Sequence, residues 1–315
     1  MKELLKLQDV KKHFHLRGKN VLKAVDGVSF SVGEAEVFGL VGESGCGKST
    51  LAKLILKLIE PAGGQIYFEG QDVIKARGPV LSKIRQGLQI IFQDPLASLN
   101  PRKTVLQAVG EGLVVNRIVK RREVKDRVAQ LLGKVGLDTD ALDRYPHEFS
   151  GGQRQRICIA RALAVDPRLI IADEPLSALD VSIQAQIINL LEYLQEDSGL
   201  AYLLVSHNLL VIEHFSDMVA VMYLGKIVEM SKTAELFKDP LHPYTEALLS
   251  AVPKPEVGKK EKRIVLEGDV PSPVNIPPGC PFHPRCHRRF DLCDKEPPAF
   301  KEAKKDRWVS CHLRE

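Results

Sequence analysis

"EVFGLVGESGCGKST", residues 36–50, decides the fold. Val37 to Val41 is an uninterrupted apolar run of strand length, and Gly42 to Ser49 spells G-x-x-x-x-G-K-S. Lys48 then opens the helical pattern "KSTLAKLILKLIE" over residues 48–60. Strand, glycine-rich loop and helix in that order form the context of a phosphate-binding loop. Gly42, Gly45 and Gly47 admit backbone conformations closed to residues with a Cβ, so the loop's N–H groups turn toward phosphate oxygens, and the helix N-terminus adds its positive end. Lys48 is placed to reach the β- and γ-phosphates of a nucleotide, and the Ser49 hydroxyl to ligate Mg²⁺. The whole run Gly42, Glu43, Ser44, Gly45, Cys46, Gly47, Lys48, Ser49 and Thr50 is the expected cradle, with Cys46 a space-filler at a variable position.

A second apolar strand is expected in "RLIIADEP", from Leu169 to Ala172, ending in the adjacent carboxylates Asp173 and Glu174. A parallel α/β sheet delivers such strand ends to one edge, the edge that also carries the phosphate loop. There Asp173 fits an acid that holds Mg²⁺ through water, and Glu174 fits a base or orienter for an attacking water. Upstream, "FSGGQRQRICIARALAVDP" (149–167) offers Ser150 as an N-cap, then Gly151 and Gly152, then an apolar-periodic helix from Gln153 to about Val165. A capped helix with a glycine-rich first turn is another anion site.

With these pieces in view, the chain resembles the ABC-type ATPases over residues 3 to about 250. Ser150–Gly151–Gly152–Gln153 matches their signature motif. Gln93 in "IIFQDP" resembles the Q-loop glutamine, "SALD" from Ser177 to Asp180 the D-loop, and His207 in "LLVSHN" the switch histidine. Phe14 in "VKKHFHL" stands where the family places an aromatic that stacks on adenine. The resemblance implies an α/β P-loop cassette with an N-terminal antiparallel β subdomain, an inserted helical subdomain and a C-terminal Cys-rich extension. It also implies a sandwich of two cassettes, in which Ser150, Gly151, Gly152, Gln153 and Asp180 serve the partner's ATP. Catalysis falls to Glu174, His207, Gln93 and Lys48, which align water, Mg²⁺ and the γ-phosphate; Ser49, Gln93 and Asp173 are the Mg²⁺ residues.

Length and composition agree with this and exclude other classes. The 315 residues are 44% apolar and 27% charged, as in an ordinary globular protein. The start, "MKELLKLQDVKKHF", lacks the apolar core of a signal peptide, and no stretch reaches about 18 uninterrupted apolar residues. The expected location is the cytoplasm, at the inner face of the membrane if permeases are present. A net charge of +5, from 45 basic and 40 acidic residues, is too mild for a nucleic-acid binder. The most basic stretch, "KPEVGKKEKR" (254–263), is interleaved with acids and reads as a solvated linker.

The first hundred residues carry two alternating stretches, "LLKLQDVKKHFHL" and "VLKAVDGVSFSVG", either side of the turn-like "RGKN", which predicts an antiparallel hairpin at the edge of the nucleotide core. From Asp94 to about Val165 the pattern is helical; "REVKDRVAQLLGKVG" puts Val124, Val128, Leu131, Leu132 and Val135 on one face. "DMVAVMYLGKIVEM" predicts two short strands around Gly225. The cassette is expected over 1–252, with its helical subdomain near 94–165, and the extension over 253–315.

Soluble ABC ATPases of repair or translation typically carry tandem cassettes or a long coiled-coil insertion, and neither is present. "FQDPLASLNPRKTV", "HPYTEALLSAVP" and the cysteine tail resemble the oligopeptide/dipeptide import ATPases, and "SLNPR" with "FSGGQRQRI" their F-type member. That resemblance implies a heterodimer with a D-type paralogue, two transmembrane permease subunits and an extracytoplasmic solute-binding protein. Relatives carry peptides, glutathione, nickel or oligosaccharides, and the residues just after Gln93 are expected to receive the permeases.

The tail itself, "CPFHPRCHRRFDLC" (280–293) followed by Cys311, spaces four of the six cysteines as C-x5-C-x6-C-x17-C. Six cysteines in a reducing compartment argue against a disulfide framework and toward buried thiols, metal ligands or redox groups. The spacing lacks the C-x2-C knuckles of zinc ribbons, although His283, His287 and His312 offer nitrogen donors. Family resemblance associates Cys280, Cys286, Cys293 and Cys311 with a [4Fe–4S] cluster, zinc and free, incidentally clustered thiols being the alternatives. "LEGDVPSPVNIPPGC" is too rich in Pro and Gly for regular elements, so something other than a core is expected to hold the last forty residues. Cys158 is expected to be buried.

Overall fold

The computed structural model describes residues 2–17, 20–252 and 264–314. The linker read at 254–263 lies outside the described residues, apart from its neighbours, as does the middle of the "RGKN" turn. In chain order the strands are β1 (Glu3–His15), β2 (Val21–Gly33), β3 (Val37–Val41), β4 (Gly63–Phe68), β5 (Gln71–Asp72), β6 (Leu88–Ile91), β7 (Leu169–Asp173), β8 (Ala201–Ser206), β9 (Met218–Tyr223), β10 (Lys226–Lys232), β11 (Lys301–Lys304) and β12 (Arg307–Val309). The α-helices are α1 (Lys48–Ile55), α2 (Gly78–Gly87), α3 (Pro95–Ser98), α4 (Val105–Val115), α5 (Val124–Lys134), α6 (Gly151–Leu163), α7 (Val181–Ser198), α8 (Leu209–Phe215), α9 (Thr233–Lys238) and α10 (Pro243–Ser250). They form two compact units. One comprises the first residues of the chain, Val32–Glu36 and Phe68–Leu204; the other comprises Leu5–Ser31, Val37–Tyr67 and the chain from Val205 onward.

The first unit joins a parallel strand pair to helices. β6 runs alongside β7 in register from Leu88↔Leu169 to Ile91↔Ala172, and every residue of β7 is buried, as a strand covered on both faces requires. Between them, α3 and α4 start on side-chain caps. The Asp94 carboxylate accepts the N–H groups of Leu96 and Ala97 at the start of α3, and Thr104 and Gln107 form a capping box on α4. In α5 the expected face is inward: Val128, Leu131, Leu132 and Val135 are buried, with Val124 at its half-buried margin.

The second unit carries the phosphate loop. All five residues of β3 are buried, and β3 lies parallel to β9, Phe38↔Met218 through Val41↔Val221. β9 turns back into antiparallel β10 through Leu224 (φ 43°) and Gly225 (φ 81°), the turn expected around that glycine. β1 and β2 are neighbours in a separate sheet, with β4 on the other side of β1. Helix α1 stops at Ile55, short of the expected Glu60, because Lys57 takes a left-handed conformation (φ 51°) and ends the helical ladder.

The tail needs a correction. The stretch 266–280 has no strand or helix, but the residues beyond it are held by ordinary sheet and core forces. β12 adds to β10 (Glu229↔Val309, Met230↔Trp308), and β11 closes a hairpin on β12. Phe282 is 1% exposed, with its ring 5.4 Å from Tyr223, 5.3 Å from Tyr244 and 5.6 Å from His242. Edge-strand addition and one buried aromatic anchor supply what the Pro-rich segment lacks.

Candidate nucleotide site and the four-thiol tail

The phosphate loop is shaped by contacts that leave no room for side chains. A Cβ at Gly42 (φ 151°) would overlap the Met222 carbonyl, and one at Gly47 (φ 109°) would overlap the Ala24 carbonyl. Gly47 is the N-cap of α1 and uses no side-chain cap. The loop is pinned by Gly225 N–H donating to Cys46 O (2.9 Å), while Asp26 N–H donates to Gly225 O (2.8 Å). Cys46 is buried beneath the loop, its Sγ 2.9 Å from where a Gly42 Cβ would stand. It fills space there, and burial pushes its thiol pKa up. Lys48 is 4% exposed; its Nζ donates to Gly42 O (2.7 Å) and Glu43 O (3.1 Å). Ser44 and Gly45 are exposed, Ser49 and Thr50 half-buried. In the same unit His207 is exposed just beyond β8, and the half-buried Phe14 ring has Lys12 Nζ 5.1 Å from its centroid.

The other unit carries the acidic strand end, the glutamine and the capped helix. Asp173, the last residue of β7, is 8% exposed. Glu174 follows in a left-handed conformation (φ 49°), a sparsely populated region for a residue with a Cβ, and its Oε2 accepts a 3.1 Å bond from Gln93 Nε2. Ser150 and Gln153 form a reciprocal capping box, Gln153 N–H donating to Ser150 Oγ and Ser150 N–H to Gln153 Oε1. The helix thus begins at Gly151, earlier than expected, because the cap fixes its first turn. Gly152 is buried against Ile183, 2.6 Å from where a Cβ would stand. Asp180 is the N-cap of α7, its carbonyl accepting from Ile183 and Gln184 N–H (both 2.9 Å). Cys158 is buried as expected.

Sequence reasoning missed a set of contacts on the loop made by residues far downstream. Arg285, inside the cysteine segment, forks onto Glu43: Nη1 donates to Oε2 (2.7 Å) and Nη2 to Oε1 (3.0 Å). Glu43 N–H donates to the Tyr244 hydroxyl (3.0 Å). The pairing holds the Arg285 pKa above its ordinary range. Charge in the loop and in the tail was visible in the sequence; their meeting across 242 positions was not.

Cys280, Cys286, Cys293 and Cys311 line one cavity of about 10 Å³, together with His242, Phe282, His283 and His312. That is room for about one water. Burial pushes the Cys280 thiol up to about 11 and raises those of Cys286 and Cys311, neighbouring thiolate charge adding to the effect. Among the described residues no three His, Cys, Asp or Glu side chains converge as a metal-holding set, so neither the expected [4Fe–4S] cluster nor zinc finds a preformed cage. The donor set, four thiols on one cavity, has the soft chemistry such groups require.

Comparison with known proteins places this arrangement. Residues 25–177 match the family profile described as "ABC transporter", and residues 228–293 match "Oligopeptide/dipeptide transporter, C-terminal region". The chain is 52% identical to the oligopeptide transport ATP-binding protein AppF of Bacillus subtilis (strain 168), covering 98% of this chain and 97% of that protein. It belongs to the ATP-binding subunits of the oligopeptide/dipeptide transporter family. The dipeptide transport ATP-binding protein DppF of Escherichia coli (strain K12) is 48% identical, over 95% of this chain and 91% of that one. Among solved structures, the ATP-binding cassette MJ0796 in a dimeric, post-hydrolysis state with ADP and Pi covers 73% of this chain and 98% of its own, at 30% identity and a TM-score of 0.66. The fold is accordingly the ABC cassette with its β subdomain, and the chain is an ABC-type ATPase whose expected ligands are ATP and Mg²⁺. Among the described residues no helix is long and apolar enough to cross a membrane.

Proposed function

We propose that this chain binds and hydrolyses ATP to drive a membrane importer of di- or oligopeptides. The observation that carries this reading is the glycine cradle: backbone carbonyls stand where Cβ atoms of Gly42 and Gly47 would lie, and Lys48 is buried against the loop. Such a loop presents N–H groups and a helix N-terminus to a triphosphate. Lys48 exchanges its two carbonyl partners for phosphate oxygens. Phe14 stacks on the adenine. Mg²⁺, held by Ser49, Asp173 and Gln93, supplies charge compensation on the phosphates when bound. Glu174, released from Gln93, orients the attacking water and accepts its proton, and His207 offsets charge developing on the γ-phosphate. Ser150, Gly151, Gly152, Gln153 and Asp180 serve the ATP of a second cassette.

The second cassette is a D-type paralogue, the pair works beneath two permease subunits on the cytoplasmic face, and an extracytoplasmic binding protein delivers the cargo. Leu96, three residues after Gln93 and 47% exposed, lies in the segment that receives the permeases. The chain divides in function into a cassette over 1–252 and an extension over 253–315. In that extension Cys280, Cys286, Cys293 and Cys311 are the ligands a [4Fe–4S] cluster would use, a reading that rests on the soft chemistry of four thiols rather than on a preformed cage. Iron, sulfide and a broad absorbance near about 400 nm in anaerobically purified protein are the expected result; stoichiometric zinc in a colourless sample overturns it.

Glu174→Gln tests the core reading. The variant should bind ATP as the wild type does, hold the closed pair of cassettes, and hydrolyse about 10²-fold more slowly or worse. Hydrolysis at the wild-type rate refutes the assignment. A ligand screen on the cognate binding protein tests the peptide specificity.

A further inference from the structure

A carboxylate is a poor neighbour for a triphosphate, yet Glu43 directly follows the first glycine of the loop. The structure accounts for it: both Glu43 oxygens are taken by the Arg285 guanidinium, at 2.7 and 3.0 Å. We propose that Arg285 is a positioning residue of the phosphate-binding loop, through which the C-terminal tail sets this chain's affinity for nucleoside triphosphate. The proposal rests on the nucleotide-site reading above.

Glu43 is held from three sides. The fork engages its carboxylate, the Tyr244 hydroxyl accepts its N–H, and its carbonyl accepts Lys48 Nζ. Arg285 and Tyr244 both lie beyond the core cassette motifs. The peptide planes that follow Glu43 belong to the N–H groups facing phosphate, so fixing this residue fixes their direction.

The fork has a rigid base. Arg285 closes a 3₁₀ turn, His283–Arg285, between Cys280 and Cys286, and its N–H donates to Phe282 O (3.0 Å). Phe282 is buried in the cage of Tyr223, Tyr244 and His242. The Arg285 side chain is only 8% exposed. A guanidinium so far out of water keeps its partner, because an unpaired buried charge is costly and a bidentate pair on carboxylate geometry is the strongest available to it. Arg285 therefore does two things at once. It holds the loop's backbone, and it cancels a negative charge that would repel the incoming phosphates.

The test is equilibrium binding of MgATP to the purified full-length chain, by calorimetry. Arg285→Ala leaves Glu43 unpaired and should weaken binding about tenfold, equivalent to about 1.4 kcal/mol. Arg285→Lys keeps the charge but loses the fork and should weaken it less; if Arg285→Ala fails to fold, this variant carries the test. Adding Glu43→Gln to Arg285→Ala should restore the share of affinity lost to the unpaired carboxylate and leave the share lost with the hold on the loop; a merely structural role gives no such rescue. Arg288→Ala removes a neighbouring tail cation that pairs with Glu246 (3.1 Å) instead, and should leave binding unchanged. Wild-type affinity in the Arg285 variants, or an equal loss in Arg288→Ala, overturns the proposal. Lys48→Ala separates the two readings. If it abolishes binding while the Arg285 variants bind as the wild type does, this proposal alone falls; if it binds as the wild type does, the nucleotide-site reading falls and takes the proposal with it.

Discussion

Gly47 shows how a single residue type carries the loop. Its φ of 109° lies in the region that L-residues avoid, and a Cβ there would meet the Ala24 carbonyl, a backbone atom that has no rotamer to yield. Gly47→Ala should therefore cost about 1–2 kcal/mol from conformation alone, with the overlap added, and should displace the first turn of α1 from the phosphates. A denaturant titration read beside ATP binding checks this: reduced stability with lost binding is expected, and unchanged affinity would show that the loop tolerates the shift. The strain at Glu174 has a different use. Its φ of 49° turns the carboxylate into reach of Gln93, and strain held at a reacting group is pre-organisation bought elsewhere in the fold. The glycines and the acidic pair were legible in the sequence because a motif encodes them locally. The partners of Glu43 were not, since an ion pair between positions 43 and 285 leaves no periodic or spaced trace.

At the level of elements, helix α6 is scaffold and, in the proposed pairing of cassettes, ligand surface as well. Its capping box satisfies N–H groups at the end that a second cassette's ATP would face. Ser150→Ala should lower stability by about 1 kcal/mol, measurable by denaturant unfolding. It should leave this chain's own ATP affinity intact while slowing hydrolysis by the assembled pair, since in the proposed pairing the cap serves the partner's nucleotide; weakened binding to the isolated chain would place the cap in its own site instead. Element identities were largely readable from apolar periodicity, as in β3, β7 and α5. The ends were set by features that pattern does not carry: Lys57 in a left-handed conformation stops α1 inside an apolar-periodic run, and the Ser150 box starts α6 two residues early. The tail was misjudged for a related reason. β12 gains its stability from pairing with β10, some eighty positions upstream, and a three-residue strand announces nothing in its own composition.

At the level of the molecule, the chain supplies one phosphate loop and one capped glycine helix, and in the proposed mechanism these serve different ATP molecules. Neither nucleotide is fully enclosed until a second cassette supplies what the first lacks, so binding energy at two sites is available to drive closure, and hydrolysis to undo it. The cost of closing is shared between two triphosphates, and association should be conditional on ATP and sensitive to its consumption. With Glu174→Gln holding the nucleotide intact, ATP should convert the 35.0 kDa chain, mixed with its D-type paralogue, into a particle of two cassettes on size exclusion with light scattering. ADP should not. The variant alone should remain single at the same concentration, because the proposed pairing surface faces a paralogue. A stable ATP-dependent pair of this chain with itself, supporting full transport when returned to its permeases, would replace the heterodimer with a homodimer. A mixed particle that forms equally in ADP would detach association from the γ-phosphate, and with it the coupling of hydrolysis to import.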